Sequence, residues 1–548
     1  MRLARAVCVL SSGVAAVGCP APAYEGVMDE PLTSGAPAES PSTGEAPTSA
    51  GASEGVVTTT ESPTGGPPEE TSAGAATSGD APTLPPVIEA VELAPPVLEW
   101  PGAIEVTVTT KSAAGVRMAF GGAQVELVPA GPDQFTSQLP FHSHLANGAY
   151  KAQFVPWSGG REGAAETRMF AVDLPDGGTE IFWEAIGELG KGEVAGLAVL
   201  PDGEVVEFGT LVGPPSRCYL RRRHSDGGWT LSEDVVLLPE APCAAIDVGV
   251  DADDGSLYLL ADRSGDGVLS WWLARMEGFG GPTTNVRFGA PKETARALAL
   301  QPGRAAVCGT QPTGKFDVDA AVWIFPFGKE GSTRAFDYLP PGWIEKHQIV
   351  ETAQDCALVG DRLVLVGSAF GKHDPVNVNA PQLERLFVLE YGLGPQTEQW
   401  TVDGDPKDLV TQSRGHALAV DDEGRYVVAG STCGAPCGAP TADLRRYAPG
   451  GALEWSLELA SQLTPARALA WHPGGYVVLA GAAETGPWTS AFFVQAWQPE
   501  AYPALWSFDK NVLPTLHMAT AVVIGPFGQV YTGGVGSDGY PAVAFIYG

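Results

Sequence analysis

A pattern of about 50 residues recurs through the last two thirds of this chain, and it constrains the fold more than any other feature. Its clearest copy runs from His416 to Leu459, HALAVDDEGRYVVAGSTCGAPCGAPTADLRRYAPGGALEWSLEL. Two strand-like runs flank an acidic glycine turn, a loop follows, and two more runs flank Gly450 and Gly451. Anchored on the small residue that ends each second run, the copies fall at Gly209, Ala261, Gly309, Gly367, Gly430, Gly481 and Gly533. Four short strands per copy at this period are the signature of a β-propeller blade. One copy cannot bury its own faces, so the copies must pack on one another. The sequence therefore predicts an all-β chain with a seven-bladed β-propeller over 178–548.

The two ends of the repeat region fit each other. The last copy stops after its third strand, whereas Ile181–Ile186 is a spare fourth-strand-like run just ahead of the first copy. Pairing the two completes the last blade and removes an open sheet edge. Upstream, 86–175 holds seven short runs that alternate apolar and polar residues, among them Ile104–Thr110 and Ala149–Val155. Half-buried strands at this density predict a β-sandwich. The Asn147-Gly148-Ala149-Tyr150 run and the glycine turns after it resemble the late strands of an immunoglobulin-like module of bacterial surface proteins. Residues 20–85 are Ser, Thr, Pro, Gly, Ala and Glu with almost no large apolar side chain. Such a segment buries too little surface to offset chain entropy, which predicts a disordered N-terminal tether.

The first 19 residues read as an export signal. Arg2 and Arg5 precede an apolar stretch too short to span a bilayer, which ends in Ala16-Val17-Gly18-Cys19. This resembles a bacterial lipoprotein signal, with Ala16 where that pattern usually has Leu. The resemblance implies lipidation of Cys19 and an outer-membrane or cell-surface lipoprotein of a Gram-negative bacterium, held to the membrane through its N-terminal lipid only. Secretion or a periplasmic location, with cleavage after Ala23, is the alternative. The repeats themselves resemble the delta-60 or SBBP-like propeller repeats of bacterial surface lipoproteins, most closely in His416–Leu459 and Ala468–Phe508. That resemblance implies fold and exposure and brings no activity with it.

Six cysteines remain after Cys8 and Cys19: Cys218, Cys243, Cys308, Cys356, Cys433 and Cys437. An even number in an exported chain predicts disulfides. Cys433 with Cys437 is the first expected pair; Cys218 with Cys243 and Cys308 with Cys356 follow if pairing is local. Acids outnumber bases 64 to 32, giving a net charge of −32. Phosphates would be repelled, so nucleic acid and anionic membrane are not expected partners.

The candidate binding residues come from aligning the copies. Leading into successive first strands lie Ala195, Asp247, Arg296, Gln354, His416, Arg467 and Ala519. If first strands are innermost, Asp247, Arg296, Gln354, His416 and Arg467 ring one mouth of the propeller and offer donors to a small polar or anionic ligand. Asp251, Asp253 and Asp254 lack the ligand spacing of a calcium loop and read as turn formers. His142 with His144, and His373 with Asp374, Asn377 and Asn379, read as polar loops, so no metal is expected. No nucleophile elbow or phosphate loop is present. The recurring fourth-strand Trp229, Trp400, Trp455 and Trp506 is similar to the tryptophan of quinone-cofactor dehydrogenase propellers and of the propeller lipoprotein of the outer-membrane assembly machinery. Seven copies rather than eight and incomplete docking motifs set the chain apart, the tryptophans read as packing anchors, and no cofactor is expected.

These features predict a non-enzymatic surface scaffold that binds a protein or glycan partner through the propeller. The alternative is a propeller enzyme acting on an extracellular carbohydrate or similar polymer at the channel mouth. The lipidation reading predicts that globomycin blocks processing of the precursor at Cys19; processing that is insensitive to the drug would rule it out.

Overall fold

Alternation of apolar and polar residues builds the first two sheets. Along Gly102–Lys111, Ile104, Val106 and Val108 are fully buried while Glu105 faces solvent. This strand sits in a sheet ordered Val87–Ala94, Gly102–Lys111, Gln134–Phe141, Val128–Gly131. A second sheet is ordered Val97–Leu98, Glu166–Val172, Gly148–Ser158, Gly115–Phe120, Ala123–Glu126, with Arg161–Glu162 paired to Gly148–Ser158. Both sheets contribute to one apolar core containing Ile104, Val106, Met118, Phe154 and Phe170.

The computed structural model describes residues 85–548 apart from 100–101, 121–122, 142–146, 186–188, 224–234, 239–241, 266–267, 314–316, 328–330, 337–348, 373–381, 395–396, 403–410, 435–439, 460–462, 465, 487–488, 499–503, 511–516 and 537–538. The expected signal and tether, Cys19, His142, His144, Trp229, His373, Asp374, Asn377, Asn379 and Cys437 lie outside the described residues. Among those described, every regular element is a strand.

From Glu180 onward, short hairpins stack into four-stranded antiparallel units. The first strands of successive units are Gly192–Val199, Cys243–Val250, Thr294–Gln301, Val350–Val359, Thr411–Val420, Ala468–His472 and Met518–Ile524. Each opens a meander in which the fourth strand is outermost, as in Gly192–Val199, Val205–Leu211, Arg217–Arg223, Val235–Leu237. The third and fourth units share one larger sheet through a single parallel pair, Val318 with Val350. The last unit takes its outer strand from upstream: Glu180–Ala185 runs antiparallel to Pro541–Ile546, with Trp183 opposite Ala544.

Packing between units follows one rule. Each first strand lies beside the first strand of the next unit, and Met518–Ile524 lies beside Gly192–Val199. The apolar clusters repeat this order. One holds Val206, Phe208 and Cys218 of the first unit with Val248, Leu259 and Trp272 of the second. Another holds Val194, Leu197 and Val205 of the first unit with Tyr531, Val543 and Phe545 of the last. The core therefore lies between units rather than within them. This is an all-β, propeller-like architecture. Trp271 of the second unit and Trp323 of the third, both fully buried, meet with ring centroids 4.9 Å apart. Such a pair contributes about 0.5–1.5 kcal/mol beyond the area it buries.

Two covalent links cross the same interfaces. Cys218 on Arg217–Arg223 is bonded to Cys243 on the next unit's first strand, with Cα atoms 5.4 Å apart. Cys308 on Arg304–Pro312 is bonded to Cys356 on the first strand of the fourth unit, at 6.3 Å. Cys433 is also disulfide-bonded. Disulfides of this kind belong to an oxidising compartment. The join between the first unit and the upstream strand carries charge instead. Arg223, 4% exposed, donates to the fully buried Glu207 and to Glu184 of Glu180–Ala185, and its guanidinium lies 4.7 Å above the Phe182 ring.

Loop closure over 25 and 48 residues gives each inter-unit disulfide about 3–4 kcal/mol of stabilisation. Thermal unfolding of the Cys218→Ser, Cys308→Ser double variant should therefore fall well below that of the oxidised parent, and reductant should lower it much less than it lowers the parent, since only the Cys433 bridge is left to reduce. Equal melting temperatures for oxidised parent and double variant would show that the bridges do not bear on these interfaces.

Candidate functional site

The first strands share a local irregularity that fixes what they present. In six of the seven, one extra residue interrupts the ladder: between Val194 and Gly196, Ala245 and Asp247, Ala295 and Ala297, Ala353 and Asp355, Gly415 and Ala417, and Ala519 and Ala521. A β-bulge of this kind bends the strand and re-aims a side chain. The bulged residues are Ala195, Ile246, Arg296, Gln354, His416 and Thr520. In the sixth unit Arg467 holds the same place, its N–H bonded to the Ala480 carbonyl at 2.8 Å just ahead of Ala468–His472.

The repeat anchors in the sequence have a cause here. Gly209, Ala261, Gly309, Gly367 and Gly430 lie opposite the residue that precedes the bulge. A Cβ on Gly309 would meet the Thr294 carbonyl oxygen, and one on Gly367 the Thr352 carbonyl oxygen. In the last unit the residue in this place is Gly534, not Gly533. The same one-residue slip separates Ala519 from the true bulge residue Thr520, whose hydroxyl donates to the Val194 carbonyl across the join.

Of the five predicted ring residues, Arg296, Gln354, His416 and Arg467 occupy equivalent bulge positions. Asp247 lies one residue further on, where Ile246 takes the bulge. Its role is clear from its bonds. Oδ1 accepts the N–H of Val248 at 2.8 Å, and Oδ2 accepts that of Leu298, on the first strand of the next unit, at 2.9 Å. Asp355, which the sequence reading missed, repeats the arrangement two units later. Its oxygens accept the N–H groups of Cys356 and Leu418, both at 2.7 Å. Apart from the single pair Val318 with Val350, first strands have one edge with no neighbouring strand in their own sheet, and these carboxylates satisfy amides there. The signal available in the sequence was an aspartate directly ahead of each of the runs Val248–Val250 and Cys356–Val359.

Both carboxyls are half-buried yet walled by protein. Burial pushes Asp247 up to about 6 against the two N–H bonds that stabilise its anion. Burial likewise pushes Asp355 up to about 7, and the charge of Asp247 adds to the rise. The two therefore sense each other. His416 moves the opposite way. Burial first, then Arg467 and Arg414, push it down to about 4, so it is a neutral imidazole at neutral pH. Its Nε2 is 2.8 Å from Ser431 Oγ. Arg414 donates to the buried Glu384, which also accepts from Ser368 at 2.7 Å. The arrangement combines two carboxyls that titrate near neutrality with an uncharged imidazole under the influence of two guanidiniums, a set able to exchange protons and to hold an anion.

The acidic turns are structural by their bonds. Asp251 accepts from the N–H of Asp253, and Asp254 from that of Ser256 and from Arg275. No group of three His, Cys, Asp or Glu side chains is placed to hold a metal among the described residues.

No family model and no curated protein matches this chain. Solved structures do. The GH93 alpha-L-arabinofuranosidase of Fusarium graminearum is 12% identical with a TM-score of 0.35, covering 54% of this chain and 90% of its own. The polysaccharide lyase Uly1 is 13% identical with a TM-score of 0.43, covering 67% and 92%. The β-propeller domain of the Trilobed protease from Pyrococcus furiosus is 10% identical with a TM-score of 0.39, covering 65% and 95%. At these identities the likeness is one of fold. The expectation of a non-enzymatic scaffold, and of a chain that is not an enzyme, is corrected here by the site itself: a scaffold needs only an exposed face, whereas the units gather titratable groups.

The pH dependence of stability follows from the two aspartates and the histidine. Asp247 and Asp355 hold protons more tightly folded than unfolded, so their contribution is full below the ordinary value of 3.8 and is lost as pH rises through about 6 and 7. His416 contributes above its ordinary 6.5 and loses that contribution as pH falls toward about 4. Replacing both aspartates by Asn should flatten the alkaline loss of thermal stability between about pH 5 and 8. An unchanged slope in that window would contradict the protein-walled placement of these carboxyls.

Proposed function

We propose that the chain is a carbohydrate-active enzyme that cleaves an exported or extracellular polymer where the first strands converge. The observation that carries this reading is the pair Asp247 and Asp355. Two carboxyls at equivalent positions of two units, each held by backbone N–H groups and electrically coupled, titrate close to neutrality. Cleavage of a glycosidic bond needs one acid that still carries a proton and one carboxylate that can take one. Asp355, with the higher value, serves as proton donor to the leaving oxygen. Asp247, which ionises first, serves as the base that activates water. Gln354, His416, Arg296 and Arg467 provide donors for sugar hydroxyls around them.

The finer architecture belongs to the same proposal. The units are read as the seven blades of one propeller spanning 178–548, with the core clusters that run from the first unit round to the last as support. Residues 86–175 are read as an Ig-like sandwich on the strength of two sheets around one core. Residues 20–85 are read as a tether, and 1–19 as a lipoprotein signal ending at Cys19, from their composition and the Ala16-Val17-Gly18-Cys19 run. The resulting protein is a delta-60/SBBP-like surface lipoprotein of a Gram-negative outer membrane whose partner is a glycan. Six of its cysteines are read as three disulfides, with Cys433 and Cys437 as the third pair.

Release of reducing ends from a panel of plant, algal and bacterial polysaccharides tests the reading. Activity on at least one polymer is expected, with a loss of about 100-fold or more in Asp355→Asn and in Asp247→Asn. Thermal unfolding of each variant guards against loss of fold. Full activity in folded variants of both kinds, or inertness of the parent towards the whole panel, would overturn it.

A further inference from the structure

The basic side of this site has an imbalance that the acid–base pair does not use. The chain carries twice as many acids as bases, and its arginines are mostly spoken for: Arg275, Arg334, Arg362, Arg425 and Arg445 each meet a carboxylate. Arg467 differs. It occupies the bulge position of the sixth unit, it is exposed, and no carboxylate pairs with its side chain among the described residues. Leaving a guanidinium unneutralised in so acidic a chain runs against the overall electrostatics.

Its neighbours strengthen the point. His416, at the same position of the preceding unit, feels the positive charge of both Arg467 and Arg414. The imidazole stays neutral and is fixed by Ser431. Arg414 shares its carboxylate, Glu384, with Ser368. With Arg414 already paired to Glu384, the unneutralised guanidinium is that of Arg467, close enough to the neutral, anchored imidazole for its charge to act there. A guanidinium's fork of N–H groups matches a carboxylate or sulfate oxyanion, with charge-assisted bonds about twice as strong as neutral ones.

We propose that Arg467, with His416 and Arg414 beside it, binds an oxyanion carried by a sugar, so that the substrate is an acidic polysaccharide. This rests on the carbohydrate reading above and narrows it. The oxyanion is the carboxylate of a uronic acid or a sulfate ester, and both present the same oxygens to the guanidinium. Bound there, it offsets the Arg467 charge that adds to burial in keeping His416 uncharged.

Calorimetric titration of the full chain with three trisaccharides of equal length tests the proposal: one of uronic acids, one bearing sulfate esters and one neutral. At least one of the anionic ligands should bind about tenfold or more tighter than the neutral one, a preference that weakens with added salt. Arg467→Ala should abolish the preference, while Arg467→Lys keeps part of it. Because the side chain is exposed, both variants should melt as the parent does. The imidazole resonances of His416 should titrate at higher pH in the complex. Whichever anionic ligand binds identifies the source of the oxyanion. Equal affinity for all three ligands, or a preference that survives Arg467→Ala, overturns the proposal. If the preference fails while Asp355→Asn still abolishes cleavage of a neutral polymer, the anion site falls and the enzyme reading stands. If the Arg467-dependent preference holds while no polymer is cleaved, the enzyme reading falls and the anion site stands.

Discussion

The close approach of the first strands is the contact on which the rest depends. Each unit buries its faces only against its neighbours, so the innermost strands must nearly touch. At Gly196 a Cβ would press on the Asp247 backbone of the next unit. Ala297, Ala417, Ala468 and Ala521 keep the equivalent positions small elsewhere. Where Asp247 and Asp355 stand instead, the side chain turns to the next first strand and takes its free amide. The residues that make the architecture possible are therefore the same ones that carry its titratable groups. Low exposure and backbone N–H bonds hold those carboxyls in place, and burial lifts their affinity for protons into the neutral range.

The joins between units are reinforced differently around the molecule. Disulfides cross from the first unit to the second and from the third to the fourth. The last unit borrows its outer strand from before the first, and there the buried Arg223 links Glu207 to Glu184. Removing one member of a buried pair of this kind costs about 3–5 kcal/mol, because it strands the other charge. Tyr547, next to the chain's final residue, is shared with the core of the two upstream sheets and exchanges backbone bonds with Gly178 and Thr179. The upstream sheets are thus tied to the end of the last unit.

Much of this was legible in the sequence, because strand alternation and glycine turns are local. The hairpins of each unit, the fourth-strand run at Ile181–Ile186 and the local cysteine pairs could all be read from short stretches. The bulge could not. It adds one residue without changing the apolar pattern, so a frame set on Gly533 instead of Gly534 moved Ala519 into the place of Thr520. In the second unit the aligned copies put the polar Asp247 where the apolar Ile246 is bulged. Asp355 carries no local mark of its role, because the amide it holds lies 63 residues away in the next unit. Function was the least legible, since no motif marks two aspartates whose charges are coupled only through the fold.

On the proposed reading, a sugar sits where the first strands converge. The decisive measurement is the crystal structure of the Asp355→Asn variant soaked with an oligosaccharide of a polymer the parent cleaves. The account predicts electron density for the sugar where the first strands converge, within hydrogen-bonding reach of Asp247 and of Arg467 or His416. Sugar bound only on the outer strands or on the upstream sheets, with the convergence of the first strands left to solvent, would contradict it.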